Sequence, residues 1–100
     1  MPHLIITRSA RAGMKRCQDY LRDRATPKTV ERAKSVIIAA LERLKTEPLR
    51  GRPYAQDPTL RELVIPFGKG RYLALLRYEP EHDVVRVLAF KHSREEKYRP

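Results

Sequence analysis

Residues 60–92, LRELVIPFGKGRYLALLRYEPEHDVVRVLAFKH, decide the fold because they hold three runs of apolar, β-branched and aromatic residues separated by two short turns. The runs at 60–67, 71–78 and 84–92 have the composition of strands, and the GKG and EPEHD segments between them have the composition of turns. Turns this short join only antiparallel neighbours. The stretch therefore predicts three consecutive antiparallel strands.

The segment at the start of the chain predicts one further strand and a helix. Residues 4–7, LIIT, are short and β-branched, and Ser9 behind them is a candidate N-cap for the helix that follows. The apolar side chains of that helix recur at helical spacing on one face, at Ala10, Met14, Cys17 and Leu21. This spacing predicts an amphipathic helix packed on the sheet.

A second helix is predicted from Pro27, because proline suits a first helical position and Thr26 before it is a good N-cap. Its apolar period continues to Lys45, and Pro48 stops it. Residues 47–59 are rich in proline, glycine and arginine, which is typical of a loop. The two helices would then form a hairpin.

The order of these elements predicts a single α+β domain over residues 1–100: an N-terminal strand, a helical hairpin, then three antiparallel strands in one sheet packed on the helices. Cys17 is the only cysteine, which excludes an intramolecular disulfide and a cysteine-based metal site and favours a reducing compartment. We expect a cytoplasmic protein with no metal, no cofactor and no membrane association.

The charge of the chain points to an anionic partner. The formal net charge is +10, from 22 Lys and Arg against 12 Asp and Glu. A surplus of this size favours binding to a nucleic acid, a nucleoprotein or an acidic protein, and it does not distinguish among them.

Four stretches together resemble the RelE/ParE superfamily of toxins from bacterial type II toxin–antitoxin pairs: LIITRSAR at 4–11, RGRP at 50–53, LRELVIPFGKGRYLALLRYE at 60–79 and VVRVLAFKHSRE at 84–95. The pattern is most similar to the ParE branch. This resemblance implies a small basic toxin that a small acidic antitoxin holds inactive. ParE-like members poison DNA gyrase, whereas RelE-like members cut mRNA on the ribosome.

One position in the sequence favours inhibition of gyrase over cleavage of mRNA. RelE-like nucleases place an arginine on the second strand after the helices, and the most natural alignment puts Leu73 there. The resemblance to the ParE branch, together with this departure from the nuclease pattern, therefore implies a gyrase inhibitor without chemistry of its own. The alternative is a metal-independent, ribosome-dependent mRNA endonuclease, for which the candidate catalytic residues are His92, Arg94, Tyr98, Arg71 and Arg77.

The C-terminal cluster is the candidate surface for target binding under either mechanism. Its predicted members, with two arginines of the RGRP loop, are Lys91, His92, Arg94, Lys97, Tyr98, Arg50 and Arg52. Tyr98 would be free to stack on a base in a nuclease. Two structural interpretations stand beside this one: His92 simply ends a strand, and residues 95–100 fray as a terminal tail.

Overall fold

The computed structural model describes all residues, 1–100, as one five-stranded sheet with two helices on one face. The elements are β1 (His3–Ile6), α1 (Arg8–Arg22), α2 (Pro27–Glu42), a 3-10 turn (Arg43–Lys45), β2 (Arg52–Tyr54), β3 (Asp57–Phe67), β4 (Gly70–Glu79) and β5 (Val84–His92). The strand order is β1-β5-β4-β3-β2. Strand β1 runs parallel to β5, and the other neighbours are antiparallel. The predicted α+β architecture, with a sheet packed on a helical hairpin, is confirmed.

The core lies between the helices and the sheet. Its largest fully buried side chains are Phe90, Leu44, Leu76, Val85 and Val87. Neither helix has the length and the apolar content that crossing a membrane requires.

The chain leaves the sheet for the first helix at Thr7, and the predicted N-cap at Ser9 was wrong by two residues. Thr7 has extended backbone dihedrals, and its hydroxyl accepts the backbone N–H of Ala10. The same hydroxyl donates to the carbonyl oxygen of Val87 at 2.7 Å. Because one side chain both caps α1 and bonds to β5, Thr7 fixes the start of the helix to an interior strand of the sheet.

The second helix begins as predicted and ends earlier. Thr26 caps it by accepting the backbone N–H of Thr29 at 3.2 Å, and Pro27 is its first residue. The α-helix ends at Glu42, and the last predicted turn is a 3-10 turn.

The segment predicted as a loop contains strand β2 and the first residues of β3. Gly51 makes this possible, because its φ of 102° turns the chain and a Cβ there would lie 2.8 Å from the carbonyl oxygen of Glu62. Arg52 then pairs with Glu62. The loop prediction was wrong for residues 52–54 and 57–59, because the glycine and proline content masked a short edge strand.

A β-bulge in β5 sets which side chains face the helices. Leu75 pairs with Ala89 whereas Leu76 pairs with Val87, so Leu88 is the extra residue. The bulge reverses the alternation, and Val87 and Phe90 therefore both reach the core. The side chains after Leu88 therefore point to the opposite face of the sheet from the one that they would face in a regular strand.

Candidate functional site

The predicted target-binding residues divide between the two faces of the sheet. Tyr72 pairs with His92 and belongs to the core under the helices, so the His92 ring lies on the helical side. Leu73 pairs with Lys91, and both side chains point to the opposite face because neighbours along a strand alternate. We call this opposite face, away from α1 and α2, the outer face.

On the outer face, the carboxylate of Glu62 holds the C-terminal segment against the sheet. Glu62 is only 8% exposed, and its Oε1 lies 2.8 Å from Arg52 Nη2. The Tyr98 hydroxyl donates to Glu62 Oε2 at 2.7 Å. The Tyr98 ring contacts Tyr54 edge-on at 6.0 Å between centroids, and Lys91 Nζ lies 4.9 Å from its centre. We call residues 93–100, which follow β5, the C-terminal strap.

The strap is attached at several points, so the interpretation of residues 95–100 as a frayed tail was wrong. Lys91 Nζ donates to the carbonyl oxygens of Glu95 and Glu96, at 3.2 and 3.4 Å. Burial and the carboxylate of Glu62 both raise the pKa of Tyr98. The phenol therefore stays protonated and keeps its bond to Glu62.

A second carboxylate, Glu95, attaches the strap on the helical side. Its Oε1 accepts Arg16 Nε at 2.8 Å, and its Oε2 accepts the backbone N–H of His92 at 2.9 Å. The Cys17 sulfur lies 3.6 Å from Glu95 Oε2. Burial, followed by the charge of Glu95, raises the pKa of Cys17 to about 12. The thiol is therefore protonated and unreactive near neutral pH, in line with the sequence-based interpretation of a buried cysteine.

His92 is fixed in orientation by its neighbours. Its Nδ1 accepts the backbone N–H of Arg94 at 3.1 Å, and its ring meets Tyr72 edge-on at 5.3 Å between centroids. Burial first, and then the charge of Arg94, lower the pKa of His92 against the opposing charge of Glu95. A neutral imidazole whose Nδ1 accepts a hydrogen bond carries its proton on Nε2. His92 is thus a hydrogen-bond donor on its free side.

His92 and Arg94 line a basic cleft of about 550 Å³ between α1, the β3–β4 turn and the strap. Five cationic side chains line this basic cleft, against the single carboxylate of Glu95: Arg16, Arg24, Lys69, Arg94 and Arg99. Sequence reasoning singled out Arg94 and missed the contributions of Arg16, Arg24 and Lys69. No signal in the sequence links Arg16 and Arg24 to Lys69 and Arg94, because α1 and the turn after it lie far from the β3–β4 turn and the strap in the chain.

The residues named for the nuclease alternative do not converge on one point. Arg71 and Arg77 lie at opposite ends of β4, ~20 Å apart along the strand. Arg77 is paired with Glu79 at 3.2 Å. His92 lies on the helical side and Tyr98 on the outer face, where its hydroxyl is bonded to Glu62.

The other positions of the predicted surface are less constrained. Lys97 is exposed on the strap, and Arg50 is paired with Glu47 at 2.9 Å. Leu73 is 7% exposed on the outer face. No group of three or more His, Cys, Asp or Glu side chains comes together to hold a metal ion.

The carboxylates of the buried Glu62 and the partly buried Glu95 predict a loss of stability in acid. Burial alone would raise the pKa of both, but the hydrogen bonds from Tyr98 and Arg52 to Glu62, and from Arg16 and the His92 N–H to Glu95, outweigh it and lower both values. A carboxyl group whose pKa is lower in the folded than in the unfolded chain stabilises the fold at pH values above its ordinary pKa of about 4.5. This contribution to stability is lost as the pH falls through the pKa of the folded state.

We therefore expect the free energy of unfolding, measured in urea, to be level from pH 7 to about 5 and to fall steadily below that. Glu62→Gln should lower stability at pH 7 and flatten the acid limb. Glu31→Gln on the exposed side of α2 is the matched control and should leave the curve unchanged. An acid limb of equal slope in Glu62→Gln would contradict the role of this carboxylate.

One family model matches nearly the whole chain. Residues 4–97 match the family model described as the ParE toxin of type II toxin–antitoxin system, parDE. No curated protein matches the chain.

Two solved structures have similar folds. The chromosomal ParDE toxin–antitoxin system from P. aeruginosa superposes with a TM-score of 0.74 and 21% identity, covering 92% of this chain and 96% of that one. The toxin–antitoxin complex RelBE2 from Mycobacterium tuberculosis has a TM-score of 0.62 and 23% identity, with coverage of 94% and 93%. At these identities the likeness concerns the fold.

Proposed function

The chain belongs to the ParE family of type II toxin–antitoxin toxins, and from this premise we propose that it inhibits DNA gyrase in the cytoplasm by binding, without chemistry of its own. A small acidic antitoxin would neutralise it. The net charge of +10 supports a partner of opposite charge.

The separation of His92 from Tyr98 is the observation that carries the choice of gyrase over mRNA cleavage. Metal-free cleavage of RNA needs a proton acceptor, a proton donor and cations around one phosphate. Here the histidine and the tyrosine lie on opposite faces of the sheet. The Tyr98 hydroxyl is hydrogen-bonded to Glu62, and Leu73 is buried. Leu73 aligns with the position at which RelE-like nucleases have an arginine.

The proposal assigns gyrase binding to the outer face and the strap that crosses it. Tyr98 and Arg52 are joined there through Glu62, and Lys91 Nζ lies against the Tyr98 ring. Lys97 is an exposed cation on the same strap. Because the strap is bound at both carboxylates, it presents its charges in a fixed arrangement. A preformed surface of this kind loses little conformational entropy on binding.

The test is supercoiling of relaxed plasmid by purified gyrase with the purified protein added. We expect loss of supercoiling near stoichiometric amounts and an accumulation of cleaved DNA that remains bound to gyrase. Full supercoiling in the presence of folded protein, together with cleaved messages after induction in cells, would reject the proposal in favour of the endonuclease.

A charge reversal at Lys97 tests the assigned surface. Lys97→Glu is expected to weaken inhibition by about tenfold, because a like charge placed in an interface opposes binding. Lys28→Glu makes the same change of charge on an exposed position of α2 and should inhibit like the unmodified protein. Equal inhibition by both variants would move the gyrase-binding surface away from the strap.

A further inference from the structure

The basic cleft holds cations that have no ion-pair partner within the protein. Arg16 and Arg99 share the carboxylate of Glu95, at 2.8 and 3.9 Å. The other three cations of the basic cleft, Arg24, Lys69 and Arg94, form no ion pair within the protein. Three cations without an ion pair, brought together from the α1–α2 turn, the β3–β4 turn and the strap, repel one another, and a bound anion would relieve that repulsion.

Aromatic rings line the same cleft. The central carbon of the Arg24 guanidinium lies over the Tyr20 ring, 3.7 Å from its centre. Tyr72 and His92 form the floor. The backbone of the turn approaches the histidine so closely that a Cβ at Gly70 would lie 2.8 Å from its ring. The free Nε2–H of His92 adds a neutral donor beside the cations.

The combination identifies the class of ligand. An acidic peptide would need the cations alone, whereas the stacked Arg24–Tyr20 pair and the edge of His92 match a flat heteroaromatic ring. The volume of about 550 Å³ is in the range of small-molecule sites, roughly 300–1,000 Å³. The cleft lies on the helical side of the sheet, away from the outer face assigned to gyrase.

We propose that the basic cleft binds a free nucleoside phosphate, with its phosphates on Lys69 and Arg94 and its base stacked on the guanidinium of Arg24. The basic cleft shares Arg94 and Arg99 with the strap, but its existence does not depend on whether gyrase is the target. Occupancy would join α1 to the strap through the ligand and would stabilise the folded chain in proportion to ligand concentration.

The test is isothermal titration of the full chain with ADP, with pyrophosphate and with adenosine, at physiological ionic strength so that diffuse attraction to a basic protein is screened. We expect ADP to bind at one site, and each fragment to bind at least about tenfold more weakly because it engages half of the cleft. The NMR signals of the His92 ring and of Gly70 should shift with ADP.

Charge-matched variants locate the site. Lys69→Ala and Arg94→Ala should each weaken ADP binding by about tenfold, since each removes a charge-assisted bond to phosphate. Lys28→Ala and Arg8→Ala lower the net charge equally at exposed positions outside the cleft and should change the affinity by less than about twofold. All four positions are exposed, so thermal unfolding should confirm that the variants are folded.

Three results would overturn the proposal. The first is the absence of ADP binding. The second is pyrophosphate binding as tightly as ADP, which would leave the cleft as an anion site with no part for a base. The third is equal weakening by the cleft variants and by Lys28→Ala, which would make the binding a property of the whole basic surface.

Discussion

Gly13→Ala is expected to lower the free energy of unfolding by about 2–3 kcal/mol, or to prevent folding, although alanine is the better helix former. Gly13 is buried on the face of α1 that lies on β5, and a Cβ there would run into the carbonyl oxygen of Phe90. Phe90 belongs to the buried core, and its carbonyl oxygen is part of the backbone of β5. The oxygen therefore cannot make room for a Cβ unless the helix or the strand moves.

The sign of the change in unfolding free energy is informative, because the helix propensity of alanine and the steric clash with Phe90 act in opposite directions. In an exposed helix interior the same substitution gains ~1 kcal/mol from propensity. Here a steric clash with backbone outweighs that gain. Urea unfolding measures the difference, and Ser35→Ala on the exposed side of α2 is the control, with a change within ~0.5 kcal/mol. A Gly13→Ala protein of equal or greater stability would show that α1 does not pack this closely on β5.

Tyr98→Ala is expected to cost about 3 kcal/mol and to release the C-terminal strap from the outer face. The substitution removes a hydrogen bond to the buried carboxylate of Glu62, the edge contact with Tyr54 and the attraction of Lys91 to the ring. A hydrogen bond to a charged group is itself worth about 1.5–3 kcal/mol, and Glu62 would keep only Arg52 as a partner.

Amide exchange and two further variants separate release of the strap from a general loss of stability. Amide exchange of Arg94 and Glu95, whose N–H groups are hydrogen-bonded to His92, should become fast in Tyr98→Ala while the exchange of β4 follows global unfolding. Tyr98→Phe keeps the ring and should lose about half as much stability. Tyr20→Ala removes an exposed tyrosine of α1 and should cost less than ~1 kcal/mol without affecting the strap. Slow exchange of the strap in Tyr98→Ala would contradict the role of this residue.

The register of β5 shows why the candidate site was only partly predictable. The strand itself follows from the run VVRVLAFKH, which is confirmed over Val84–His92. The bulge at Leu88 has no glycine or other marker in the sequence, yet it places Lys91 on the outer face and His92 under the helices. A shift of one residue moves every later side chain to the other face. Reasoning from proximity in the chain therefore grouped residues that the fold separates.

The sequence by itself determined the order of the two helices and of every strand except β2, and the α+β class, because periodicity, capping residues and turn composition act over a few neighbouring residues. Thr26, Pro27 and the short GKG turn are local signals of this kind. The family followed from the resemblance of the four stretches at 4–11, 50–53, 60–79 and 84–95. Only the tertiary structure decided that Glu62, 36 residues before Tyr98, would hold the strap, and that Arg24, Lys69 and Arg94 would share one cleft. Such long-range contacts depend on strand pairing and on the angle at which a helix packs, which no short stretch of sequence specifies.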